Sequence, residues 1–184
     1  MLIDRTRQNH DVARSVSRFG DDSTAALRTL SAKCLAAMQC TLSGTLFIYQ
    51  GEEIGQANLP KAWAIDEYKD IASQEYFHEE LAARKQRNAD GGEPDMSDVW
   101  NNLQRKARDH ARSPMQWNDS KQAGFSDATT TWMRVNEDYR EWNVDAQSGD
   151  RNSVLEFWRR MLQFRKKHLA CVCHLVFSPL HTAS

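Results

Sequence analysis

The sequence predicts an α/β fold, and three segments of the chain carry that prediction. A short apolar run at residues 45–49 has glycines before and after it and is typical of a buried strand. A helical pattern at residues 24–41 leads directly into this run, and a second helical pattern covers residues 151–168. A helix that leads into a buried strand is an αβ unit, the building block of α/β folds.

The predicted strand, Thr45–Tyr49, is apolar on both faces, so we expect neighbouring strands and helices to cover it. Its polar end, Gln50–Glu53, follows at the carboxyl end of the strand. In α/β folds, the loops at this end of the strands carry ligand chemistry. A buried strand followed by an ordinary acidic loop is the alternative that this stretch leaves open.

The helix before the strand has a recognisable start. Asp21-Asp22-Ser23 offers short side-chain acceptors that can cap the first amides of a helix, which we expect to cover Thr24–Thr41. Apolar side chains recur in it at spacings of three and four. They predict one buried face, formed by Leu27, Leu30, Cys34 and Met38.

Three more helical segments follow the strand. Pro60–Arg87 is predicted to be helical in part, a helix capped by Asp95 is predicted at 96–109, and the capping box at Ser153 opens the helix at 151–168. Residues 110–150 show little periodicity, and long ordered loops are often functional. The predicted inward faces are Trp63, Ile65, Tyr68 and Ile71; Val99, Trp100, Leu103 and Ala107; and Val154, Phe157, Trp158, Met161 and Leu162.

Composition excludes several classes of protein. With 40% apolar and 27% charged residues, the 184-residue chain is globular rather than disordered. A net charge of -1 gives no reason to expect nucleic acid or an anionic membrane as partner. No apolar run is long enough to span a bilayer. The cysteines show no disulfide framework, so we expect a cytoplasmic protein; they are Cys34, Cys40, Cys171 and Cys173.

Two polar clusters are candidates for chemistry. Asn9-His10-Asp11 places an amide, an imidazole and a carboxylate side by side, which could hold several sugar hydroxyls or could simply cap a loop. Arg108–Trp117 carries two arginines, which can fix carboxylates, or which could only complement the end of a helix. A metal site at Cys171-x-Cys173-His174 has only His181 as a further ligand, so we expect no metal.

Four stretches in order resemble the second half of the catalytic domain of α-glucosidases of the α-amylase clan, in particular eukaryotic maltases and isomaltases. Asn9–Phe19 resembles the segment after the seventh barrel strand, and Gly44–Gly55 resembles the eighth strand with its loop. Arg108–Trp117 resembles the family's arginine-bearing motif, and Ser153–Lys167 resembles the last barrel helix. The resemblance implies a partial (β/α)8 TIM barrel: the last strands and helices, with a long helical and loop excursion.

The resemblance also implies roles for individual residues. Asp11 corresponds to the third catalytic carboxylate of the family, which stabilises the oxocarbenium-like transition state and binds ring hydroxyls. His10 corresponds to a donor to the same glucose unit, and Arg108 to an arginine that reaches the innermost glucose. Glu52 and Glu53 correspond to residues that shape the floor and rim of the site. No cofactor is implied, and the implied ligand is a small oligosaccharide.

The implied function is that of an α-glucosidase fragment. Family members hydrolyse terminal α-linked glucose of maltose- or isomaltose-like sugars with retention, using a carboxylate nucleophile and a carboxylic acid. Both lie on earlier strands of the family's barrel, and a whole barrel needs on the order of 250 residues, so we expect this chain alone to be inactive. A truncated, non-catalytic derivative that binds sugar or a protein is the alternative. Residues 1–8 and the irregular tail 170–184 look foreign to the barrel, which leaves 9–169 as its C-terminal half.

Overall fold

Helices joined by long loops make up the part of the chain that the computed structural model describes, which is residues 8–88 and 91–168. The longest helices, Ala25–Thr41, Ile71–Arg87 and Val154–Lys167, agree with the helical segments expected from the sequence. In order, the α-helices are α1 (Ser15–Phe19), α2 (Ala25–Thr41), α3 (Ile71–Arg87), α4 (Ser97–Lys106), α5 (Asp109–Arg112), α6 (Val144–Gln147) and α7 (Val154–Lys167). Short 3-10 helices lie at Glu52–Ile54, Ile65–Glu67, Lys121–Gly124 and Glu137–Arg140.

Side-chain caps fix the starts of α2 and α7. The cap of α7 at Ser153 was predicted, whereas α2 is capped by Thr24 and not by the predicted Asp21-Asp22-Ser23. The hydroxyl of Thr24 accepts the Leu27 amide at 3.2 Å. The hydroxyl of Ser153 accepts the Glu156 amide at 3.1 Å. Each bond satisfies an amide that the first helical turn would otherwise leave without an acceptor.

The main core lies between α2 and α7. Trp158 and Val154 of α7 are almost fully buried against the small side chains of α2. Arg165 of α7 reaches the end of α2, where its guanidinium donates to the carbonyls of Cys40 at 2.8 Å and Leu42 at 2.7 Å. A cation at a helix C-terminus satisfies free carbonyls and complements the helix dipole, so this contact fixes α7 on α2.

The predicted buried face of α2 was wrong. Leu30 is 65% exposed, and Leu27 and Cys34 are exposed too, whereas Met38 is partly buried. The opposite side packs on α7 and contains Ala32, Leu35, Ala36 and Cys40. α2 is apolar on both sides, and its alanines allow a large side chain such as Trp158 to pack closely against the helix, so spacing alone could not select the face.

The predicted strand at residues 45–49 was also wrong for the structure described: no residue of 8–88 and 91–168 is in a β-strand. Leu46 packs on the core between α2 and α7, but Phe47 is 61% exposed and Ile48 is 37% exposed. A strand requires a second strand whose amides and carbonyls pair with its own. No described segment provides that pairing, so the apolar run remains a loop.

A second core lies in the excursion that follows residue 55. Val99, Leu103 and Ala107 are buried, as predicted for this segment, and they pack near Trp63 and Tyr68. The predicted member Ile71 is instead 68% exposed at the start of α3. The two cores have no residue in common.

Candidate functional site

The turn before α1 exposes a carboxylate and an imidazole. The Asp11 amide donates to Asn9 Oδ1 at 2.8 Å, a local bond that shapes the turn. His10 Nε2 lies 3.2 Å from Asp11 Oδ2, and the side chains of His10 and Asp11 are 71% and 45% exposed. The structure thus leaves both predicted residues accessible to a ligand.

Helix α5 brings two arginines to this carboxylate. Arg108 and Arg112 are four residues apart, so they lie on one side of a helical turn. Arg112 Nη2 donates to Asp11 Oδ1 at 3.1 Å, and its Nε donates to the His10 carbonyl at 3.1 Å. Arg108 Nε lies 3.6 Å from the same Asp11 oxygen, and its side chain is 51% exposed. The predicted residues Asp11, His10 and Arg108 therefore meet.

A second carboxylate, Asp70, completes the cluster. It accepts from Arg112 Nη1 at 2.8 Å, and its side chain is only 10% exposed. Its other oxygen caps α3 by accepting the Ser73 amide at 3.3 Å. Asp109, which is fully buried, accepts the Asp70 amide at 2.9 Å and so fixes the backbone beneath it. Arg112 consequently bridges two carboxylates that come from distant parts of the chain.

Sequence reasoning did not single out Arg112 or Asp70. Arg112 belongs to the arginine-bearing motif, and its spacing of four from Arg108 was the signal that could have identified it. Asp70 stands before a helical segment and looks like an ordinary helix cap. Its second contact, with Arg112, depends on tertiary structure.

His110 fixes the arginine-bearing motif from behind. Its Nδ1 accepts the Leu59 amide at 3.1 Å, and its Nε2 lies 3.0 Å from the Leu103 carbonyl. Because an amide can only donate, Nδ1 is the unprotonated nitrogen and Nε2 donates to the carbonyl. Burial disfavours the imidazolium and lowers the pKa of His110 to about 4. The ring is therefore neutral, and it joins the segment at Leu59 to Leu103 of α4.

Arg14 connects the turn of Asp11 to the arginine-bearing motif and to the loop at Gln50. It is fully buried and donates from Nε to the His110 carbonyl at 2.8 Å and from Nη1 to the Gln50 carbonyl at 2.6 Å. Burial lowers its pKa to about 10, so the guanidinium stays charged at neutral pH. Gly51 leaves the space for it, since a Cβ there would come within 2.9 Å of Arg14 Nη1.

Glu52 and Glu53 lie apart from the exposed cluster. Glu52 is buried, where it accepts from the Ser15 hydroxyl at 3.2 Å, from the Gln39 amide and from the Tyr49 amide at 3.3 Å. Burial raises the pKa of both glutamates. Within the described residues, neither carboxylate forms a hydrogen bond or an ion pair with the cluster around Asp11, so these predicted site residues do not join it.

The described residues offer nothing for a metal. Within 8–88 and 91–168, no group of three or more His, Cys, Asp or Glu side chains could hold a metal ion. The metal site considered at Cys171-x-Cys173-His174, with His181, lies outside the described residues.

Among the described helices, none is long and apolar enough to cross a membrane.

The chemistry of the cluster suits a polyol. An exposed carboxylate accepts hydrogen bonds from hydroxyls and stabilises positive charge, whereas guanidinium and imidazole groups donate to hydroxyl oxygens. The side chains are held by α5, by the cap of α3 and by the Arg14 contacts, so the donors and acceptors are in place before a ligand arrives.

Residues 4–173 match the family of α-amylase catalytic domains, and the chain belongs to that family. Two curated relatives are an α-glucosidase of Candida albicans, 47% identical over 165 residues, and a probable oligo-1,6-glucosidase of Bacillus subtilis, 43% identical over 160 residues. These matches cover 88% and 87% of the chain, but only 28% and 26% of the relatives. The resemblance to α-glucosidases is confirmed, and the chain spans little more than a quarter of the length of such proteins.

Solved structures agree with the family assignment. The isomaltulose synthase SmuA from Protaminobacter rubrum superimposes with a TM-score of 0.78 at 35% identity, and a MutB mutant in complex with glucose superimposes with 0.75 at 36% identity. Each match covers 90% of this chain and 28% of the solved chain. The described helices and loops thus have the arrangement of part of an α-amylase-family enzyme.

Proposed function

We propose that the chain is the C-terminal part of the catalytic barrel of an α-glucosidase, which hydrolyses terminal α-linked glucose of maltose- or isomaltose-like oligosaccharides with retention. The single observation that carries the proposal is the cluster of Asp11, His10 and Arg108 in a chain of this family. His10 is the neighbour of Asp11 in the sequence, and Arg108 comes from a distant segment to lie beside the same exposed carboxylate.

Asp11 is the residue to which we assign catalysis. In the proposed reaction its carboxylate accepts hydrogen bonds from ring hydroxyls and stabilises the positive charge that develops at the anomeric carbon. Arg112 holds the carboxylate through one oxygen, at 3.1 Å. A sugar can then approach the half-exposed carboxylate while the contact with Arg112 fixes its orientation.

Arg108 and His10 are proposed to bind the same glucose unit. Arg108 lies 3.6 Å from Asp11 and 4.0 Å from Asp70, too far for hydrogen bonds, so its N–H groups can donate to sugar hydroxyls. His10 lies beside Asp11 and can donate or accept, depending on its tautomer. Glu52 and Glu53 are proposed to shape the floor and rim indirectly, because Glu52 holds the backbone of Tyr49 at the entry to the loop.

The barrel assignment follows from the same proposal. Residues 45–49 would be the eighth barrel strand, with α2 and α7 packed outside it, and its partner strands would come from the rest of the protein. The exposed side chains of Phe47 and Ile48 support this, since a barrel strand is covered on both faces. The isolated chain is expected to be inactive, because it has no counterpart of the family's nucleophile and acid.

A chimera tests the proposal. The aligned 165-residue segment of the Candida albicans α-glucosidase is replaced by the corresponding segment of this chain, and hydrolysis of p-nitrophenyl α-glucoside is measured. We expect turnover that requires the inserted segment, with the α-anomer of glucose as the first product in proton NMR. The isolated chain is the negative control. A folded but inactive chimera, or the β-anomer as the first product, would contradict the proposal.

A further inference from the structure

A cavity of about 970 Å³ lies beside the candidate site, and the proposed reaction does not use it. It is bordered by residues of the segment 11–23, by residues 57–61 and by α4. Asp11 lies on its edge, so the cavity and the carboxylate cluster are neighbours. Among the described residues that line it, none is aromatic, so they offer no platform for a stacked sugar ring.

The lining carries more cations than carboxylates, and most of the cations have no ion-pair partner. Three carboxylates line the cavity. Asp11 and Asp138 have the guanidinium partners Arg112 and Arg28, whereas Asp22 accepts from the neutral Ser17 hydroxyl and keeps its charge. Five cations line it, and four of them form no ion pair with a described residue: Arg18, Lys61, Arg105 and Lys106. Four unpaired cations against one unpaired carboxylate give the cavity a net positive charge, which attracts anions.

Arg28 adds a buried donor to this lining. Its side chain is only 8% exposed, its Nη1 is 2.6 Å from Asp138 Oδ2, and its Nε donates to the Gly55 carbonyl at 2.8 Å. Its guanidinium stacks on Trp142 at 3.8 Å, which fixes its plane. Nη2 is buried and has no hydrogen-bond partner within the described residues. A buried donor without an acceptor is costly, so this group favours a ligand oxygen.

We propose that this cavity binds an oxyanion of the phosphate type, either free phosphate or the phosphoryl group of a sugar phosphate. A phosphate oxygen would accept from Arg28 Nη2, and the exposed cations on α4 and at Lys61 would neutralise the remaining charge. Guanidinium and ammonium groups are the side chains that bind phosphate most strongly. Asp11 borders the cavity, but the residues assigned to the phosphate lie outside the carboxylate cluster, so the proposal does not depend on glucosidase activity.

Binding is measured on the monomeric 184-residue chain by equilibrium dialysis with radiolabelled inorganic phosphate, and by competition with glucose 6-phosphate and with glucose. The test variant is Arg105→Gln/Lys106→Gln. The control variant, Lys166→Gln/Lys167→Gln, removes the same charge at the exposed end of α7. We expect the test variant to weaken phosphate binding about tenfold and the control to leave it within about twofold. Circular dichroism checks that each variant is folded, and Lys61→Gln replaces the test variant if it is not.

The competition separates the two sources of the anion. Tighter competition by glucose 6-phosphate than by inorganic phosphate indicates a sugar phosphate, equal competition indicates free phosphate, and both results support the site. Glucose alone should not compete. Absence of phosphate binding, displacement of phosphate by glucose, or equal weakening in the test and control variants would overturn the proposal.

Discussion

The neutral, buried His110 makes the stability of the fold depend on pH. Its pKa falls from 6.5 to about 4 in the folded chain because burial disfavours the charged ring. Between these values the unfolded chain binds a proton that the folded chain does not bind. A base with a depressed folded pKa contributes stability that is fully present above pH 6.5 and decreases as the pH falls towards 4. Acidification in this window should therefore destabilise the fold.

The expected size follows from the shift. One pKa unit corresponds to about 1.4 kcal/mol, so the free energy of unfolding should fall by about 2 kcal/mol between pH 7 and pH 5, and by about 3 kcal/mol at pH 4. Solvent does not screen the charge of the protonated ring, because His110 is fully buried. Glu52 and Glu53 act in the opposite direction, since burial raises their pKa values. A comparison of variants at each pH removes their contribution.

The assay is urea unfolding monitored by tryptophan fluorescence at pH 7, 6 and 5, for the parent chain, His110→Gln and His78→Gln. Glutamine can both accept the Leu59 amide and donate to the Leu103 carbonyl, but it does not titrate. We expect His110→Gln to be less stable at pH 7 and to lose about 2 kcal/mol of the pH dependence. The exposed His78 should behave like the parent. An unchanged pH dependence in His110→Gln would refute the reasoning.

Three further predictions rest on single contacts. In the chimera, Arg112→Lys should lower kcat by about tenfold or more, because an ammonium cannot bridge both carboxylates of the cluster; unchanged steady-state kinetics would exclude that role. In urea melts, Gly51→Ala should cost at least about 1 kcal/mol more than Gly149→Ala, since both glycines have positive φ but only the Cβ at 51 meets close atoms; equal costs would contradict this. In gel filtration, Phe47→Ser should reduce self-association of the isolated chain more than Phe125→Ser, and equal effects would argue against an exposed barrel strand.

Local interactions explain the parts of the fold that the sequence predicted. The predicted cap at Ser153 depends on residues within one helical turn, and the periodic apolar residues of α4 lie on its buried face. At the start of α7, however, one predicted hydrogen bond has a different partner. The capping box at Ser153 predicted that Glu156 would return to the Ser153 amide, but Glu156 accepts from Gly149 at 3.1 Å instead.

Nonlocal interactions explain the predictions that failed. The apolar run at 45–49 has the composition of a strand, but pairing depends on other segments. α2 is apolar on two sides, and only the position of Trp158 shows which side is buried. The same limit applies to the site. The Asp70–Arg112 contact joins distant parts of the chain, so no local pattern could indicate it, whereas Asp11, His10 and Arg108 were found through motifs of the family.

The role of Asp11 in the transition state is tested most directly by steady-state kinetics of Asp11→Asn in the chimera, with Asp119→Asn, an exposed aspartate outside the cluster, as the matched control. A carboxylate that acts mainly on the transition state should lose about a thousandfold or more in kcat, with a much smaller change in KM. The control should keep both parameters within about twofold. Near-normal kcat in Asp11→Asn, or a loss confined to KM, would contradict the account.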